Sequence, residues 1–198
     1  MPVGVTALPP PLNEPEEEAA LVVHDYLTGR GLNSDVALEN GWYPSVLAGD
    51  QHLRIVMPAT NTKGYVYWQA RAVSDNVDKR YQSPSYAASD SIIIVWPSGK
   101  FDRRAVVVEG PMDALAAAEH GHVGIALMGK SPDSTVYDHI ADLFRCYKFQ
   151  VIPDADDIQA GSELALQLMS RGLRTSLTVC PAKDLAAVPR FEREALLA

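Results

Sequence analysis

The chain has 198 residues, enough for one domain or for one domain with a small partner subdomain. Hydrophobic residues make up 47% and charged ones 21%, which excludes wholesale disorder, and the longest apolar run, 92–96, is far too short to cross a bilayer. The net charge of −8 argues against tight unaided binding to nucleic acid, because Lys and Arg supply most phosphate affinity; weak binding stays compatible with it. The N-terminus lacks the basic start and apolar stretch of a signal peptide, so a cytoplasmic protein is expected.

Residues 1–16 are proline-rich, lead into the acidic cluster Glu14, Glu16, Glu17 and Glu18, and read as a flexible arm. Helical patterning follows over 17–29. From 41 to 96 the chain looks mainly β, with β-branched and aromatic residues at 53–57, 65–73 and 91–96 between turn-forming segments. After Gly99 the pattern alternates. Strands are expected at 105–108, 123–127, 149–152 and 173–179, and helices at 112–120, 135–147 and 158–171. This is the α/β pattern of a mostly parallel sheet flanked by helices, over 101–198, preceded by a small α+β subdomain over 17–100. Cys146 and Cys180 lie too far apart for a zinc ribbon and read as buried free thiols. His120 and His122, beside Gly121 at a helix end, read as capping or surface histidines.

Ligands of an open α/β sheet gather at the carboxyl ends of its strands. The first of these strands ends in Glu109-Gly110, the third in Asp154-Ala155-Asp156-Asp157, and the fourth is followed by Lys183-Asp184. Acids recurring at one rim repel one another unless they are protonated or hold cations. Mg²⁺ or Mn²⁺, hard ions that prefer oxygen ligands, suit such a rim. If the extended backbone persists past the third strand, Asp154 and Asp156 face the same way. Any one of these acids alone is also a common helix-capping residue.

The ordered set resembles a known family. Val106-Val107-Val108-Glu109-Gly110, with Asp113 one helical turn on, resembles the first motif of Toprim domains. Ile125-Ala126-Leu127-Met128-Gly129-Lys130-Ser131 resembles the next strand and glycine turn, Asp154-Ala155-Asp156 the Asp-x-Asp motif, and Lys183-Asp184-Leu185 the late Lys-Asp element of primase Toprim domains. Arg30-Gly31-Leu32, the stretch Gly64-Tyr65-Val66-Tyr67-Trp68-Gln69-Ala70-Arg71, and Lys79-Arg80-Tyr81-Gln82-Ser83-Pro84 resemble the segment that precedes the Toprim domain in DnaG-type DNA primases. The resemblance spans about residues 20–190. Ala160-Gly161 comes two residues later than in the family pattern, which makes Asp157 a further candidate ligand.

The resemblance implies a primase catalytic core, a nucleotidyltransferase that makes short RNA primers on single-stranded DNA from ribonucleoside triphosphates. Its implied metal ligands are Asp154 and Asp156, with Asp184 in support and Glu109 as a ligand or proton acceptor. Asp113 acts from behind them or through water; read from its position alone, it is equally a solvated first-turn acid. Arg71, Lys79, Arg80, Lys130 and Lys183 are candidates for triphosphate or template contact. Trp68 and Tyr81 could stack on bases, although Trp68 suits core packing better. With neither a zinc ribbon nor a helicase-binding domain in the sequence, a separate zinc-binding protein or a replicative helicase is an expected partner. Two readings compete with primase: a Toprim metal-dependent nuclease and a non-catalytic nucleic-acid-binding module of the replication machinery.

Overall fold

The computed structural model describes residue 8 and residues 16–63, 67–85, 88–128 and 132–198. Helices α1 (Glu16–Gly29) and α2 (Ser34–Glu39) come first; the Asn33 side chain caps α2 by accepting the Asp35 N–H at 2.9 Å. Five strands follow: β1 (Tyr43–Val46), β2 (Leu53–Asn61), β3 (Tyr67–Ala72), β4 (Tyr81–Gln82) and β5 (Ser91–Val95). The second half alternates as β6 (Arg104–Val108), α3 (Pro111–Ala118), β7 (Val123–Leu127), α4 (Ser134–Leu143), β8 (Lys148–Val151), α5 (Ile158–Ser170) and β9 (Arg174–Leu177). It closes with α6 (Arg190–Leu197). No helix among the described residues is long and apolar enough to cross a membrane.

The strands form one mixed sheet in the order β4-β3-β2-β5-β7-β6-β8-β9, with β1 also on β2. Pairs β7-β6, β6-β8 and β8-β9 are parallel, as the strand–helix alternation requires. The earlier strands pair antiparallel, and β5 joins the two parts by running antiparallel to β7 from Ile92↔Leu127 to Val95↔Gly124.

Period-two alternation divides the core between the two faces. Val106 and Val108 of β6 bury against α1, α2 and α3, whereas Ala105 and Val107 bury against α4 and α5. On the second face α4 contributes Val136 and Ile140, and α5 contributes Ala165 and Leu168, at the i, i+3 and i+4 spacings of amphipathic helices. Val136, Ile140 and Leu168 each contribute about 1.5–3 kcal/mol by leaving water. Two glycines are dictated by close approach. A Cβ on Gly124 would lie 2.0 Å from the Ala114 carbonyl oxygen, so only glycine lets α3 sit on β7; one on Gly161 would lie 2.5 Å from the Pro153 ring.

Several expectations are corrected. The strand expected at 53–57 runs on through Pro58 to Asn61. Pro58 is tolerated because it lies in an unpaired stretch of one edge of β2, between Val56, the last partner of β1, and Thr60, the first partner of β5. Helices α2 and α6 and strands β1 and β4 are too short or too polar to show in the apolar pattern. Cys146 is exposed rather than buried, because it sits in the turn between α4 and β8; Cys180 is buried. His122 is buried with its Nδ1 3.0 Å from Asp102 Oδ1, not a surface group.

Candidate active site

The parallel strands create the site by their connections. The chain leaves β6 for α3 on one face of the sheet and leaves β8, the next strand, for α5 on the other. A crevice opens between their carboxyl ends, the switch point where α/β sheets bind ligands. Glu109 follows β6 and Asp154 follows β8, so both stand at its mouth.

Asp184 reaches the same crevice through tertiary hydrogen bonds. The Ala155 N–H donates to the Lys183 carbonyl at 2.9 Å, tying the loop after β8 to the loop after β9. Asp184 caps the 3-10 turn Leu185–Ala187 by accepting the Ala187 N–H at 2.8 Å. The adjacent Ala186 N–H donates to Asp113 Oδ1, also at 2.8 Å. Gly110 has no side chain to obstruct this arrangement; a Cβ there would lie 2.8 Å from Asp113 Oδ2.

The electrostatics reflect the crowding. Burial, together with the charges of Asp184 and Asp154, pushes the Asp113 carboxyl up to about 7 in spite of the Ala186 N–H. Burial first, then the like charges of Glu109, Asp184 and Asp156, raise Asp154 to about 6 against the pull of Lys183. Asp113 is therefore not a solvated first-turn acid: it is 7% exposed and lies behind the other carboxylates.

Facing the acids across a cleft of about 540 Å³ are Arg30, Arg71 and Arg80, with Lys183 on the acidic side. The volume is ordinary for a small-molecule site. Arg71 is only 5% exposed; its Nε donates to the Tyr26 hydroxyl and its Nη1 to the Tyr81 hydroxyl. Its guanidinium carbon stands 5.7 Å and 4.9 Å from the two ring centres. Arg30 lies 5.9 Å from the Tyr26 ring, and its Nε is buried with no hydrogen-bond partner among the described residues. Tyr26 lies in the last turn of α1 and Arg30 just past its end; the resemblance includes Arg30-Gly31-Leu32 but implies no site role for it, and nothing in a helical pattern shows that this turn meets a strand some 40 residues later.

Other candidates lie elsewhere. The backbone turns after Asp154, whose carbonyl accepts the Asp157 N–H at 3.0 Å, so the extended geometry needed to align Asp154 with Asp156 ends there. Asp156 is exposed on that turn, and Asp157 lines a separate cavity of about 340 Å³ between α4 and α5, which Glu109 also borders. Lys79 is exposed and lies outside the cleft. Its carbonyl and that of Arg80 accept hydrogen bonds from Arg54, a fully buried residue that holds this loop and pairs with Asp50. Arg80 is half-exposed and 3.3 Å from Asp75. Tyr81 packs partly against the core; Trp68 packs against Leu47, Val56 and Ala70. Lys130 lies outside the described residues.

A buried cation fastens the site from behind. Arg193 of α6 is 1% exposed and donates to the carbonyls of Val188 at 2.7 Å, Ala186 at 2.8 Å and Gly31 at 3.1 Å, with Glu119 at 3.5 Å. It thereby joins the residue after Arg30 to the loop that carries Asp184.

Among the described residues, no three His, Cys, Asp or Glu side chains are closed into a ready-made metal cage. The donor set is nonetheless all carboxylate, partly buried and self-repelling. That chemistry fits a hard cation which retains several water ligands, and Mg²⁺ or Mn²⁺ meets it.

No protein-family model matches the chain, and no curated protein does. Solved structures do. The primase fragment of the bacteriophage T7 primase-helicase protein superposes with a TM-score of 0.60 at 19% identity, covering 85% of this chain and 73% of that one. A DnaG catalytic core gives 0.61 at 20% identity, covering 88% and 70%. The Aquifex aeolicus primase, comprising zinc-binding and RNA polymerase domains, gives 0.69 at 15% identity; the match covers 94% of this chain and 56% of that structure. The chain therefore has the fold of the DnaG-type primase catalytic core.

Proposed function

We propose that the chain is the catalytic core of a DNA primase, a metal-dependent nucleotidyltransferase that joins ribonucleotides on a single-stranded DNA template. The observation that carries this reading is the convergence, in one cleft, of carboxylates from three strand ends with guanidinium groups from the other half of the fold. Chain extension needs both: anionic ligands for cations, and cations for a triphosphate.

In this reading Glu109, Asp154 and Asp184 would hold one or two divalent ions, with Asp156 or Asp157 reaching them through water. When bound, such ions supply charge neutralisation at the attacking and leaving oxygens. The protein's own groups do the remainder. Arg71, held rigid between two tyrosines, and Arg30 grip the triphosphate, while Arg80 and Lys183 hold its outer edge or the template. The 3′-hydroxyl of the growing strand forms a bond to the α-phosphorus as the bond to the β-phosphate breaks. Pyrophosphate leaves, and the hydroxyl proton passes to Glu109 or to water. Asp113 fixes the Asp184 loop through the Ala186 N–H, and burial raises its carboxyl to about 7, so both its protonated and ionised forms are present near neutral pH when no cation is bound. A separate zinc-binding protein or a replicative helicase would present the template, and such a core would work in the cytoplasm.

The test combines the purified chain, single-stranded DNA, labelled ribonucleotides and Mg²⁺ or Mn²⁺, alone and with a candidate zinc-binding partner. Short template-dependent RNA products that disappear in Asp154→Ala are the expected result. Template degradation that also requires Asp154 would replace the proposal with a nuclease.

A further inference from the structure

The opposite rim of the same strands carries the reverse charge. Arg103, Arg104, Arg145, Lys148 and Arg174 line one cleft of about 440 Å³ at the amino ends of β6, β8 and β9. Asp102 is the single acid in its wall, so the lining carries five positive charges against one negative in a chain whose net charge is −8. The grouping comes from strand register. Arg104 pairs with Lys148 and Lys148 with Arg174 across adjacent parallel strands, which sets three cations in a row along roughly 10 Å of sheet.

Like charges at adjacent sheet positions destabilise a fold. Internal partners relieve only part of this. Arg104 donates to the Leu197 carbonyl and to a main-chain oxygen of Ala198 and lies 3.7 Å from Asp102, while Arg145 has Asp142 at 3.4 Å on the surface. Arg103, Lys148 and Arg174 are exposed, and among the described residues none of them forms an ion pair. Tyr147, half-buried with its ring 5.1 Å from Phe144, adds an aromatic group to the cleft wall.

From this row we infer that the amino-terminal rim is a second nucleic-acid contact, a non-catalytic track for the phosphates of a single strand. A row of cations beside an aromatic ring matches the alternation of phosphate and base along a strand. The choice of nucleic acid over an acidic protein segment rests on the primase reading; the charge row does not. The two rims are about 17 Å apart along the strands, so one single strand running over the surface could touch both. In a chain of net charge −8 this adds phosphate contacts to those of the carboxyl-terminal cleft.

The test measures binding of a labelled oligothymidylate to the full chain by fluorescence anisotropy, in EDTA, over a range of salt. Arg103→Ser, Lys148→Ser and Arg174→Ser are combined in one variant; all three side chains are exposed. The expected result is a loss of affinity of at least about tenfold at low salt. The slope of log K against log salt should fall by about 2, since each single-strand phosphate contact contributes roughly 0.7. A variant with Arg103→Lys and Arg174→Lys should keep the slope. Unchanged affinity and slope in the serine variant would overturn the proposal. So would polyglutamate competing as well as DNA at equal charge, which would assign the rim to an acidic protein partner. Because binding is read without metal or nucleotide, absence of primer synthesis would count against the catalytic reading alone.

Discussion

The two ends of β6, β8 and β9 are built by opposite rules. At the carboxyl ends the functional groups are interlocked. Asp113 accepts the Ala186 N–H, the Ala155 N–H reaches Lys183, and Arg193 binds three carbonyls from beneath. At the amino ends Arg103, Lys148 and Arg174 stand exposed, and register sets Arg104, Lys148 and Arg174 in a row. Bond-forming chemistry needs groups held to fractions of an ångström, whereas holding a flexible polyanion needs charge density and tolerance. On this difference, removing an interlocking group at the first rim should disturb folding, while changes at the second should disturb binding alone.

Arg193→Ala tests the interlocking most severely. It leaves Glu119 buried without its cation and frees the carbonyls of Gly31, Ala186 and Val188, so a loss of about 3–5 kcal/mol is expected in urea unfolding. The combined serine variant at the amino-terminal rim should stay within about 0.5 kcal/mol of the parent for each substitution. Equal losses at the two rims would erase the contrast.

Asp154→Ala should lower primer synthesis by about 10²–10³-fold, the scale of losing one electrostatic contact to a transition state. Its far-UV circular dichroism and melting should stay close to those of the parent.

Asp113→Asn separates charge from hydrogen bonding, since the amide oxygen can still accept the Ala186 N–H. The folded carboxyl titrates at about 7 against 3.8 ordinarily. Between those values the folded chain holds a proton that the unfolded chain has released. Stability is therefore full below about pH 4 and falls as pH rises through 7. The metal-free parent should lose up to about 4 kcal/mol over this range from the group, roughly half that after screening by water in the cleft. In Asp113→Asn the slope between pH 4 and 7 should flatten, as thermal melting in EDTA would read. An unchanged slope would mean that Asp113 is already ionised in the fold.

The smallest effect belongs to Asp156→Ala. The carboxylate is exposed outside the cleft, so steady-state synthesis should fall less than about tenfold, with the loss appearing in the concentration of Mn²⁺ required. A loss equal to that of Asp154→Ala would show that the turn after Asp154 closes onto the ions during the reaction.

Much of this organisation is legible in the chain itself. The alternation after Gly99 predicts β6 to β9 and their helices to within a few residues, because β6, β7 and β8 bury both faces and helices α4 and α5 bury one; β9, at the edge of the sheet, is mostly exposed. The same alternation identifies the strand ends, and with them Glu109, Asp154 and Asp184. Local patterning could not determine which distant groups meet. Arg30 and Tyr26 enter the cleft because α1 ends beside β3, and Arg193 fastens the site because α6 folds under it. Asp156 is exposed on a turn beyond the end of β8, which the Asp157 N–H closes onto the Asp154 carbonyl. Periodicity is a property of neighbours along the chain and is written in their order. Burial of a charge, the partner that balances it, and the register that lines up cations on three strands depend on residues far apart in that order, and only the tertiary structure decides them.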